Sequence, residues 1–159
     1  MVLSVDVNGQ KRKRLARKRR LKIVSSNVRG LISGTKRGLL LDSLHLRSIS
    51  AAGLQEIWGE GEEQWEHCQA GSVLYTAGEK SKSCSRGSKG VGIVLNKEAG
   101  DAYKAACSQG RAIFRGFGPR VMAMRLLVRK NTGRGDKEQG IFMVSAYAPT
   151  SGWARSACL

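Results

Sequence analysis

A chain of 159 residues that is 41% hydrophobic is long enough for one domain with its own core and too apolar for a disordered class. It carries 28 Lys and Arg against 12 Asp and Glu, a net charge of +16, which favours a polyanionic partner such as nucleic acid. No amphipathic basic helix is evident, no apolar run approaches the ~18 residues of a membrane span, and no apolar signal core opens the chain, so a membrane partner is not expected. The four cysteines, Cys68, Cys84, Cys107 and Cys158, form no C-x-x-C pair and the only histidines are His45 and His67, which argues against structural zinc and suggests a reducing compartment.

The charge falls in two parts. Residues 1–22 hold nine Lys or Arg against one Asp, a local +8, and the remainder contributes another +8. Within the leader lies a dense block containing Lys11, Arg12, Lys13, Arg14, Arg17, Lys18, Arg19 and Arg20. Such a block suits a sequence-blind phosphate-binding arm or a nuclear address; the alternatives are a solvated tail and a cytoplasmic protein. Residues 1–20 are expected to be a disordered leader, residues 21–152 the folded domain, and residues 153–159 a tail.

Leu21–Asn27 has a β-branched centre and predicts a first strand. Residues 28–35, with two glycines, read as a loop, and the spacing of Leu40, Leu41, Leu44 and Ser48 predicts a helix from Lys36 to about Arg47, capped by Ser33 or Thr35. Ile49–Glu56 reads as a second strand that ends in a carboxylate. Glu62 to about Gln69 suggests a short helix or turn, Ser72–Thr76 a third strand, residues 78–89 a mobile loop, and Gly90–Asn96 a fourth strand. Lys97–Gln109 suits a helix weakened by Gly100. Arg111–Phe117 and Arg120–Val128 predict the fifth and sixth strands, with Met122, Met124, Leu126 and Val128 on the buried face. Lys130–Gln139 reads as a polar hairpin loop. Gly140–Tyr147, apolar on both faces, predicts a seventh strand central in a sheet covered on both sides.

Three of these strands end in Asn27, Glu56 and Tyr147. A carboxylate at the tip of a buried strand has no packing use, because an unpaired buried charge costs several kcal/mol (order of magnitude). Mg²⁺ takes one or two protein oxygens and completes its octahedron with waters and a substrate phosphate, and a tyrosine hydroxyl can bond a phosphate oxygen. The set suits phosphoester hydrolysis, where positioning and charge neutralisation carry most of the catalysis.

Four segments occur in order: Ser26-Asn-Val-Arg-Gly-Leu31, Leu54-Gln-Glu-Ile-Trp58, Gly90-Val-Gly-Ile-Val-Leu-Asn96 and Val144-Ser-Ala-Tyr-Ala-Pro-Thr150. Together they resemble the endonuclease/exonuclease/phosphatase superfamily, which includes deoxyribonuclease I, and within it the endonuclease domain of non-LTR (LINE-like) retrotransposons. The resemblance covers about residues 21–152 and implies an α/β fold, part of a four-layer α/β/β/α sandwich whose C-terminal half is absent. It implies that Asn27 and Glu56 hold Mg²⁺, that Glu56 and Tyr147 are catalytic, and that DNA is the partner, with a reverse transcriptase region encoded downstream. Ser50 stands where many relatives begin the second strand with Asp, so a local hydrogen bond is expected to be lost.

The family continues to an Asp-x-Asn motif and a terminal Asp-His pair, whereas the last Asp here is Asp136 and the last His is His67. His67 is expected in a Glu-rich turn with no Asp beside it to orient it as a general base, and reads as a surface residue, not as a substitute base. The expectation is therefore the N-terminal portion of a Mg²⁺-dependent DNA endonuclease with little or no turnover. The other readings are a non-enzymatic basic nucleic-acid-binding protein and a phosphoesterase of the same superfamily.

Overall fold

The computed structural model describes residues 21–31, 33–67, 71–79, 89–111, 114–131 and 136–148. The basic block from Lys11 to Arg20, the tail after residue 148, and Cys68, Cys84 and Cys158 lie outside these residues. The described chain is mixed α/β, with eight strands and two helices. β1 (Ile23–Asn27), α1 (Gly34–Leu46) and β2 (Ala51–Gln55) form a βαβ unit in which β1 and β2 pair in parallel. β3 (Gly61–Glu66), β4 (Val73–Glu79) and β5 (Lys89–Leu95) complete a five-stranded mixed sheet in the order β1-β2-β5-β4-β3. After α2 (Lys97–Ser108), β6 (Phe114–Gly116), β7 (Val121–Asn131) and β8 (Asp136–Ala146) make a three-stranded antiparallel sheet in that order.

The larger sheet is covered on both faces. Leu40, Leu41 and Leu44 of α1 pack with Ala52, Leu54, Leu74 and Val94 on one side. On the other, Ala51, Val73, Tyr75, Val91, Ile93 and Leu95 meet Met122, Met124, Leu126 and Met143 of the smaller sheet. Full burial from both sides explains the near-continuous apolar runs of β2, β4 and β5. Ser33 caps α1 by accepting from the Lys36 amide at 3.3 Å, and Asn96 caps α2 by accepting from the Ala99 amide at 2.9 Å. No helix among the described residues is long and apolar enough to cross a membrane.

Six sequence expectations change. Residues 61–66 form an edge strand and not a helix or turn, because full-length pairing with β4 outweighs the weak strand preference of Glu and Gln. The expected loops at 78–89 and 130–139 are shorter, since residues 78–79, 89, 130–131 and 136–139 belong to strands. β8 is an edge strand rather than a central one, and its outward residues Phe142 and Val144 are 66% and 58% exposed, so only one face is covered. Ser50 supplies a local hydrogen bond after all, accepting from the Lys22 amide at 3.2 Å. His67 is mostly buried, its Nε2 lying 3.9 Å from Asp42 of α1 and its ring stacked obliquely on Trp65.

Candidate functional site

The site grows from the parallel register of β1 on β2. Asn27 stands opposite Gln55, so the next residue of β2, Glu56, reaches the end of the sheet beside Asn27. The two segments stay paired beyond the strands: Val28, Gly30 and Leu31 donate their amides to the carbonyls of Gln55, Glu56 and Ile57 at 3.0, 2.7 and 2.8 Å. These rungs hold Glu56 and Trp58 in the left-handed region at φ 55° and 57°, which non-glycine residues rarely adopt. Gly30, at φ 97°, makes room for Trp58, whose ring a Cβ at that position would meet at 2.7 Å. Strained backbone of this kind persists only where its surroundings fix it, and it clusters at functional sites.

The Asn27 amide donates to Glu56 Oε1 at 2.7 Å, while its Oδ1 accepts from the Arg29 amide at 3.2 Å. The amide plane is thereby fixed at both ends, and it fixes the carboxylate. The other Glu56 oxygen has no hydrogen-bond partner among the described residues. No group of three or more His, Cys, Asp or Glu side chains among the described residues could hold a metal. The donor set on hand is thus a single oriented carboxylate oxygen, half-exposed. That fits a hard cation that keeps most of its waters, as Mg²⁺ does, and does not fit zinc.

Tyr147 reaches the same end of the molecule by a different route. β8 crosses β2 through Ser145, which is 1% exposed; its hydroxyl donates to the Leu54 carbonyl at 2.8 Å and accepts from Gln55 Nε2 at 3.4 Å. Gly53 lies against it: a Cβ there would sit 3.5 Å from Ser145 Oγ, an ordinary van der Waals contact. Two residues on, Tyr147 follows Ser145 onto the inward face of the smaller sheet and packs half-buried against the inter-sheet core. Its backbone amide donates to Arg120 at 2.9 Å. It makes no hydrogen bond to Asn27 or Glu56 among the described residues. The structure thus joins Asn27 directly to Glu56 and carries Tyr147 to their end of the sheets without a hydrogen bond to either.

Sequence reasoning missed the Gln55–Ser145 link. The signal was a lone polar residue inside an apolar strand, opposite a glycine of another strand. His67 and Asp42 lie elsewhere. Glu66 shares a row with Ala51, at the opposite end of β2 from Glu56, so the His–Asp pair is remote from the candidate site. No family model matches the chain, and neither a curated protein nor a solved structure matches it.

Proposed function

We propose that this chain carries the metal-holding end of a Mg²⁺-dependent phosphodiesterase of the endonuclease/exonuclease/phosphatase type, with DNA as substrate in the manner of LINE-like retrotransposon endonucleases. The observation that carries the reading is the 2.7 Å bond from Asn27 to Glu56 on a strained strand end. Glu56 would ligate the cation through its free oxygen, and Asn27 would orient it. A bound Mg²⁺ would neutralise charge on a phosphate. Tyr147 would donate its hydroxyl to a phosphate oxygen, and the basic block from Lys11 to Arg20 would hold the phosphate backbone without reading bases.

In this reading the two packed sheets and α1 would make up three layers of a four-layer sandwich. The bare face around Phe142 and Val144 is where a fourth layer would lie. The Asp-x-Asn and Asp-His motifs implied by the family do not occur in residues 148–159. Among the described residues only Asn27 is hydrogen-bonded to the Glu56 carboxylate, so this end of the sheet is proposed to supply cation and phosphate binding.

Mn²⁺ titration followed by electron paramagnetic resonance tests the reading. One site per chain, competed by Mg²⁺ and lost in Glu56→Gln, is the expected result. Equal Mn²⁺ binding by Glu56→Gln would refute it. The net charge of +16 favours a second reading, plain backbone binding without catalysis. In that case duplex affinity falls steeply with salt, and neither Mg²⁺ nor Glu56→Gln alters it.

A further inference from the structure

The outer face of the smaller sheet lies open. Met122, Met124, Met143 and Ser145 are buried against the larger sheet. Alternation therefore sends Val121, Ala123, Arg125, Phe142, Val144 and Ala146 to the opposite face. Phe117 joins them, because its amide donates to the Val121 carbonyl at 2.9 Å, one position beyond the inward pair Gly116 and Met122. Phe117 and Phe142 are 61% and 66% exposed, so both rings offer open aromatic surface. In the register they stand about 13 Å apart along the strands and about 10 Å apart across them.

Arg125 shares this face. It stands opposite Phe142 in the register, with its guanidinium carbon 5.8 Å from the ring centroid. Gly140 leaves room for it to lie across β8, since a Cβ there would meet Arg125 Nε at 2.8 Å. That Nε is shut off from solvent and has no hydrogen-bond partner among the described residues. A cation is thus held on the sheet beside an open ring. The surrounding charge is of one sign. Residues 114–131, which span β6 and β7, hold five Lys or Arg and no Asp or Glu. The acidic residues of β8, Asp136 and Glu138, stand at the far end of the hairpin, in register with Asn131 and Arg129.

Open rings beside a pinned arginine, in a basic surround, select a partner by charge and shape. A second copy of the chain would bring a further +16 against this face. A neutral apolar partner would bury the Arg125 charge without compensation. An acidic polypeptide answers the charge but not the flat rings. A single nucleic-acid strand answers both, with phosphates for the arginine and unpaired bases that stack on aromatic side chains. Bases in a duplex are already stacked on one another and leave the rings unused. We propose that the outer face of the β6-β7-β8 sheet binds single-stranded nucleic acid, with bases on Phe142 and Phe117 and a backbone phosphate at Arg125. The surface lies apart from the Asn27–Glu56 end, and the inference does not rest on the cation reading.

Fluorescence anisotropy of the full-length protein with a labelled thymidine decamer tests this, beside an abasic decamer that carries the same phosphates without bases. Residues 1–22 hold no aromatic residue, so the basic leader acts on both decamers alike. The thymidine decamer should bind about tenfold more tightly than the abasic one, the effect of base stacking. Phe142→Ala should remove most of that difference while leaving abasic binding and its salt dependence as they were. Phe142→Trp should restore the difference, which a folding defect does not do. Duplex affinity should not respond to Phe142→Ala. Equal binding of the two decamers, or a thymidine preference that Phe142→Ala leaves intact, would overturn the proposal. So would a dimer in sedimentation equilibrium that Phe142→Ala dissociates, which would give the face to a second copy. Glu56→Gln should leave all of these affinities unchanged, so failure here and failure of the cation reading are distinguishable.

Discussion

The two sheets face the same core but are finished differently. The five-stranded sheet has α1 on one face and the smaller sheet on the other, and the side chains of Leu54, Leu74, Ile93 and Leu95 are wholly enclosed. The three-stranded sheet encloses Met122 and Met124 on its inner face, yet leaves Phe142 and Val144 in solvent on its outer face. Asn27 and Glu56 sit on the finished sheet and are locked by backbone rungs, whereas Tyr147 ends the half-covered one. Rigid support is thus concentrated under the carboxylate and is thinner under the phenol.

Substitutions should expose that contrast. The largest effect is expected from Leu74→Ala, which opens a cavity between two covered faces and should cost about 2–5 kcal/mol in urea unfolding. Phe142→Ala, of similar chemistry on the bare face, should change stability by no more than about 0.5 kcal/mol. A large loss at Phe142 would mean that something covers that face in solution. Next comes Asn27→Ala, which removes the group orienting the carboxylate. It should weaken Mn²⁺ binding at Glu56 by about 10- to 100-fold, as loss of such a supporting bond usually does, with little change in the unfolding midpoint.

Ser145→Ala should cost about 1 kcal/mol of stability, because Gln55 loses one of its partners and the Leu54 carbonyl loses the hydroxyl bond that ties the sheets. The last effect is seen only in alkali. Burial pushes the Tyr75 phenol from 10.0 up to about 12 and raises Tyr103 in the same direction. Folding therefore favours the protonated phenols. Their contribution to stability is complete below pH 10, where the unfolded phenol is still neutral, and is lost as pH rises from 10 towards 12. Absorbance at 295 nm should show these two of the three tyrosines ionising only as the protein unfolds.

Much of this architecture could be read from the residues alone, for identifiable reasons. β5 and β7 were legible because their apolar runs or alternation have one physical reading, and α1 because Leu40, Leu41 and Leu44 mark one helical face. β3 was not, since Glu62, Glu63, Gln64 and Glu66 have no strand preference of their own and acquire the conformation from β4. The exposure of β8 was illegible because Phe142 and Val144 are apolar, and composition does not reveal whether a covering layer is present. At the candidate site, Glu56 stood out as a charge ending an apolar run. Its bond to Asn27 spans 29 residues and depends on the parallel register, which no local pattern encodes. The approach of His67 to Asp42 was hidden for the same reason.

The central proposal is that Glu56, oriented by Asn27, holds a hydrated divalent cation. Amide-resolved NMR during a Mg²⁺ titration tests it most directly. The account predicts saturable shifts centred on the Asn27 side-chain amide and the backbone of residues 56–58, absent in Glu56→Gln. Shifts centred elsewhere, or shifts at Asn27 that survive Glu56→Gln unchanged, would contradict it.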